Sequence, residues 1–244
     1  SLFKAKDYLI SPINTPQLFV EGNYYLTGQQ EEIKNKIING IDNREHKIWG
    51  IQGSAGTGKT LLLYDIARTL GQMMRVCVIH SGILSQGHIE LNSILREVDI
   101  IPVKECNENL IRQYDCILID ESQRLYQVDF DCIVKAFQDL NIHCIFGYDY
   151  YQVLSYAEEN RNIPEQLNRL SFFCENKLSE KIRTNKEVAS FIKNVINLAH
   201  RPKRYMDYSN IEVLYAFDYT VAKNIIEHYV TNKEYKFISY TPSR

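Results

Sequence analysis

One run of residues, Gly53-Ser54-Ala55-Gly56-Thr57-Gly58-Lys59-Thr60, constrains this chain more than any other. A glycine, four residues, then Gly-Lys-Thr is the Walker A spacing. An apolar segment, Ile48-Trp49-Gly50-Ile51, precedes it, and LLLYDIARTL follows with the spacing of a helix. Strand, glycine-rich loop and helix in that order give the motif its physical sense. The glycines let successive N–H groups curl around a phosphate, and the new helix turns its positive end toward the anion. Lys59 is placed to reach the β- and γ-phosphates, and the Thr60 hydroxyl to hold Mg²⁺. The expectation is a site for a nucleoside triphosphate with Mg²⁺, built from residues 53–60.

Composition narrows the class further. A hydrophobic fraction of 45% beside 24% charged residues is enough to build a sizeable core. The net charge of −2 argues against a broad basic surface for nucleic acid, though it leaves room for a local groove. Six cysteines occur without a CxxC pair, so neither a zinc site nor a disulfide framework is expected. Cys77, Cys116 and Cys144 fall in apolar strand-like runs as buried, reduced thiols, which suits a cytoplasmic protein. No apolar run reaches the ~20 residues that span a bilayer, and SLFKAKDYLI mixes charge through its apolar residues unlike a signal peptide. Ser1 in place of an initiator methionine reads as the start of a trimmed fragment or as the residue after a cleaved tag. The 17 tyrosines read first as half-buried packing, with base stacking as the alternative.

Residues 1–25, with Pro12 and Pro16, read as an irregular extended arm. At Thr27 a capping box with Gln30 opens a helix. Strand candidates follow at 47–52, 75–80, 116–120, 143–147 and 171–174. Helical stretches fall at 59–70, 89–97, 128–140 and 164–170. Short apolar strands alternating with helices predict an α/β fold, with a parallel sheet buried on both faces. Beyond about residue 177 a second series is expected: helix 185–200, strand 211–215, helix 219–230 and strand 236–240. The chain then stops just after a strand, so this series reads as an incomplete second domain.

Cys116-Ile117-Leu118-Ile119-Asp120-Glu121-Ser122-Gln123 is the second strong signal. An apolar strand that ends in two acids delivers both carboxylates to the carboxyl edge of the sheet, where ligands bind in such folds. Asp120 suits Mg²⁺, directly or through a water, and Glu121 suits a general base for the attacking water.

DESQ after a strand, with GSAGTGKT upstream, resembles the superfamily 1 helicase and translocase ATPases, whose second motif reads DE-x-Q. The resemblance implies a RecA-like ATPase domain over 26–176 and a truncated second RecA-like domain over 177–244. LTGQQEEI is similar to the family's glutamine motif, which makes Gln30 a contact to the adenine edge. FGYDYYQVLS resembles the third motif: Asp149 and Gln152 keep their mutual spacing around an inserted tyrosine, and Gln152 takes the place of the γ-phosphate sensor. In KLSEKIRTN, Arg183 takes the place of the arginine that meets the γ-phosphate from the second domain. HSGILSQGHIELNSIL is similar to bacterial relatives of the Schlafen-type helicase domain, which are often fused to nuclease or other effector modules. Motifs V and VI have no counterpart before Arg244, and the Pro-Thr that grips nucleic acid in the family is absent after Ser81-Gly82.

Two further groups have plainer readings. His80 and His88 read as packed or solvated histidines, since no Cys or acid has ligand spacing with them. The basic run from His200 to Arg204 reads as a solvated turn, with contact to phosphates as the alternative. The sequence therefore predicts an ATP-hydrolysing, helicase-like core with single-stranded DNA or RNA as partner and no membrane association. The alternative is an ATP-dependent switch that controls a fused or partner effector.

Overall fold

The computed structural model describes residues 10–45, 47–140, 142–152, 155–179 and 214–231. The chain separates into two compact units, Ser1–Arg183 and Thr184–Arg244.

In the first unit, β1 (Ile48–Gly53), β2 (Val76–His80), β3 (Val98–Pro102), β4 (Cys116–Asp120), β5 (His143–Tyr148) and β6 (Phe173–Leu178) form one sheet. Their order is β3-β2-β4-β5-β1-β6, and every pairing is parallel. Alternation of side chains along each strand divides the apolar residues between two cores. Trp49, Ile51, Val76, Val78, Leu118 and Ile145 face one side, where they meet α2 (Gly28–Asp42), α3 (Lys59–Gly71) and α4 (Gln86–Ile94). Ile48, Cys77, Ile79, Ile117, Ile119 and Phe146 face the other, against α6 (Gln127–Leu140) and α8 (Ile163–Asn168). Burial on both faces accounts for the continuous apolar runs of the strands. The short helices α5 (Glu108–Ile111) and α7 (Tyr156–Arg161) complete this unit after α1 (Pro16–Val20). This is an α/β P-loop fold of the RecA-like kind.

Strand β3 went unforeseen from the sequence. It is a sheet edge with Asp99 exposed, so its VDIIP pattern lacks the unbroken apolar run that marked its neighbours. The helix expected at 89–97 starts earlier, at Gln86, because Ser85 caps it. The last strand runs 173–178 instead of 171–174.

Residues 10–25 are also packed where an irregular arm was expected. Pro16 sits in the first turn of α1, where its missing N–H costs nothing, so it starts a helix. Phe19 is fully buried, stacks on Tyr24 with ring centroids 5.1 Å apart, and its carbonyl accepts from Arg68 Nη1 at 3.1 Å. The Tyr24 hydroxyl donates to Asp65 of α3, whose other oxygen pairs with Lys34 at 2.7 Å. The segment thus braces the helix that begins at the glycine-rich loop. Gly87 fixes how close it comes, since a Cβ there would stand 1.8 Å from the Ile13 carbonyl. Gly87→Ala is expected to cost about 1–3 kcal/mol through that overlap, read as a lower urea midpoint at unchanged slope.

In the second unit the described helix is α9 (Tyr219–Val230), as the sequence suggested, with Asp218 accepting from the Val221 N–H at 2.9 Å. Leu214 and Tyr215 have no regular structure. The expected helix 185–200 and strand 236–240, the remainder of strand 211–215, and Arg183 lie outside the described residues.

Candidate functional site

Strand β1 runs straight into the glycine-rich loop, and α3 leaves it at Lys59. Gly56 and Gly58 take φ of 83° and 81°, a region that L side chains rarely adopt. A Cβ on Gly53 would stand 2.4 Å from Thr57 Oγ1. The loop is cross-braced from within: the Thr57 hydroxyl and N–H both donate to the Ser54 carbonyl, at 2.8 and 3.2 Å. Ala55 and Gly56 complete the curve between them.

Gln30 is fully buried behind this loop. It accepts from the Thr27 N–H at 2.9 Å and donates to the carbonyls of Thr57 and Gly58 at 3.2 and 3.5 Å. The capping box is as expected, but the same carboxamide also supports the loop from behind. A contact with a base edge would require these bonds to open. Neighbouring Gln29 is tied instead to Lys177 and Ser179.

The order β4-β5-β1 places the loop leaving β5 between the Walker A lysine and the two acids. Lys59 Nζ lies 3.8 Å from Asp149 Oδ2 and donates to the Ser54 carbonyl at 3.4 Å. Asp149 is 2% exposed, so this is a buried ion pair. Asp120 is equally buried: its Oδ1 accepts from the Glu121 N–H at 3.1 Å and its Oδ2 from the Thr60 hydroxyl at 3.4 Å. Burial first, then the Glu121 charge, pushes the Asp120 carboxyl up to about 7 against the opposing pull of Lys59.

Glu121 has φ 56°, which turns its side chain off the line of β4. Its carboxylate accepts from Gln123 Nε2 at 2.7 Å and lies 3.6 Å from Arg124. Gln123 accepts in turn from the Asp149 N–H at 3.2 Å, and Ser122 donates to the Gly147 carbonyl at 3.1 Å. These bonds fasten the acidic turn to the loop after β5. Gln152 is half-buried on that loop, three residues past Asp149.

The structure thus brings together Lys59, Thr60, Asp120 and Glu121 from the expected set and adds Asp149 and Gln123. Asp149 was visible in the sequence only as a spacing marker, and Gln123 only as the fourth letter of DESQ. Their partnership depends on strand order, which local patterning does not reveal.

The donor set fits Mg²⁺ with a nucleotide. Hard oxygens from one hydroxyl and one carboxylate are what an NTP-bound Mg²⁺ takes from protein, with phosphates and water completing its shell. Among the described residues no group of three or more His, Cys, Asp or Glu could hold a metal by itself. Cys77, Cys116 and Cys144 are buried free thiols, as foreseen. No described helix is long and apolar enough to cross a membrane.

Comparison with known proteins settles the lineage. The family described as Schlafen group 3, DNA/RNA helicase domain, matches residues 46–237, most of the chain. The chain belongs to this family. The Schlafen-type domain begins just before β1 and takes in the glycine-rich loop, the acid pair and the Asp149 loop, so it is the core of a helicase-like P-loop protein. No curated protein matches the chain significantly. Similar solved structures include Pif1 helicases at forked double-stranded DNA (17% identity, 70% of this chain and 48% of that one, TM-score 0.48). Bacteroides Pif1 bound to single-stranded DNA is another (18%, 71% and 46%, 0.44). AMPPCP-bound DnaA from Aquifex aeolicus is a third (17%, 77% and 58%, 0.44). The chain spans about half the length of these structures. Likeness at this level does not extend to ligands.

Proposed function

We propose that this Schlafen-type domain is the ATP-binding and ATP-hydrolysing core of a superfamily 1 DNA/RNA helicase-like protein, with the six-stranded sheet as the frame of its ATPase domain. The observation that carries the reading is the meeting of Lys59, Thr60, Asp120, Glu121 and Asp149 at one sheet edge, beside a loop shaped for phosphate. Gly53–Thr60 hold the phosphates through backbone N–H groups, and Lys59 exchanges Asp149 for the β- and γ-oxygens. Thr60 and Asp120 hold Mg²⁺, which when bound neutralises charge on the phosphates. Glu121, kept in place by Gln123, accepts a proton from the attacking water as general base. By resemblance, Gln152 senses the γ-phosphate and Arg183 supplies positive charge at the transferring group.

Single-stranded DNA or RNA is the proposed partner. The test is steady-state ATP hydrolysis by the 244-residue chain with and without single-stranded DNA or RNA, with Lys59→Ala as blank. Stimulation by nucleic acid that vanishes in the variant is the expected result. Tight ATP binding with turnover indifferent to nucleic acid would overturn the motor reading and favour an ATP-dependent switch acting on a fused or partner effector.

A further inference from the structure

His80 is the last residue of β2, and the register pairs its Cα with that of Asp120 on β4. Residues opposite one another on adjacent strands project to the same face, so the two side chains lie side by side. His80 Nδ1 stands 4.0 Å from Asp120 Oδ2, the oxygen that also receives the Thr60 hydroxyl. That nitrogen is buried and has no hydrogen-bond partner. A buried imidazole nitrogen left without a partner costs free energy, and the carboxylate beside it is an acceptor that would remove the cost.

The ring is held at this spot by two other contacts. A Cβ on Gly82 would stand 3.2 Å from His80 Nε2, so a side chain there would press on the ring. The His88 ring lies against it with centroids 4.4 Å apart. His88 is itself fixed as the capping partner of α4, where its Nδ1 accepts from the Ser85 N–H at 3.1 Å in place of the usual Glu or Gln. Burial holds both imidazoles below the usual histidine range.

We propose that His80 is a positioning residue for Asp120: its Nδ1–H donates to the Asp120 carboxylate and orients that group toward Mg²⁺. The 4.0 Å separation would have to close by about an ångström for that bond to form. His80 touches neither metal nor nucleotide. Its contribution is to fix the carboxylate rotamer. This role rests on the reading of Asp120 as the Mg²⁺ carboxylate.

The experiment is a Mg²⁺ titration of the binding of a fluorescent, non-hydrolysable ATP analogue to the 244-residue chain. It needs no turnover. His80→Ala is expected to raise the half-saturating Mg²⁺ concentration about 10-fold, within the range that such supporting groups command, and to leave binding in EDTA unchanged. Asparagine places an N–H close to the position of Nδ1, whereas glutamine mimics Nε2. His80→Asn should therefore return to within about twofold of the parent chain, and His80→Gln should behave like His80→Ala. Gly82→Ala, which crowds the ring without replacing it, should shift the titration in the same direction. If His80→Ala fails to fold, the Asn and Gln variants carry the test between them. Equal titrations for the Asn and Gln variants, or a His80→Ala titration matching the parent, would overturn the proposal. Asp120→Ala separates the two levels. If it leaves the Mg²⁺ dependence intact, the assignment of Asp120 itself fails and His80 falls with it.

Discussion

Replacing Lys59 with alanine is expected to abolish ATP hydrolysis and also to destabilise the nucleotide-free chain. The first effect follows from the proposed site. Loss of a charge-assisted contact to phosphate costs about 1.5–3 kcal/mol, or roughly 10- to 100-fold in affinity, before any effect on the chemical step. The second comes from Asp149. Lys59 Nζ is 3.8 Å from a carboxylate that is 2% exposed, and removing the cation leaves that charge buried beside the Walker loop. Stranding half of a buried pair is strongly unfavourable, here expected to cost about 1–3 kcal/mol because the 3.8 Å separation is long for a full ion pair. Adding Asp149→Asn should restore most of that stability, since the Asn oxygen can still accept from the Tyr151 N–H at 3.0 Å. It should restore none of the turnover. Urea denaturation of the single and double variants, read beside their ATPase rates, checks both statements. Equal stability of Lys59→Ala and the parent would show that the pair contributes nothing to the fold.

Glu121→Gln should behave quite differently. Nucleotide affinity is expected to stay within a few-fold of the parent, while kcat falls by about 10²- to 10⁴-fold, the usual contribution of a positioned general base. The geometry allows this separation. Gln123 donates to Glu121 Oε2 at 2.7 Å, and a glutamine oxygen can accept the same bond, so the side chain keeps its place and loses only its basicity. The backbone supplies an independent check. Glu121 has φ 56°, a conformation that costs a non-glycine residue about 1 kcal/mol or more. Glu121→Gly should therefore match or exceed the parent in stability while it loses the same activity. Single-turnover hydrolysis and equilibrium nucleotide binding, measured on both variants, separate the chemical step from the binding step. A Glu121→Gln variant with parental kcat would remove Glu121 from the reaction.

Much of this domain was legible because its signals are local. The glycine spacing of 53–60 imposes positive φ at Gly56 and Gly58, whatever surrounds them. The apolar runs ending at Gly53, His80 and Asp120 imply strands covered on both sides. Thr27 and Gln30 three residues apart imply a capped helix. Each follows from sterics or hydrogen bonding within a few residues, so the sequence by itself determined the α/β class, the phosphate loop and the acid pair. Other features depend on partners far along the chain. Strand β3 carries an exposed Asp99 because it ends the sheet, and no local pattern announces an edge. Residues 10–25 look irregular until Phe19 and Tyr24 meet Arg68 and Asp65, more than 40 residues away. Only the order β4-β5-β1 brings Asp149 between Lys59 and Glu121, and only the β2–β4 register sets His80 beside Asp120. Strand order and register are chosen by the packing of two whole core faces, an energy shared over dozens of side chains. The tertiary structure therefore decided which residues stand next to the phosphate loop, whereas the chain's local chemistry had already decided that such a loop would form.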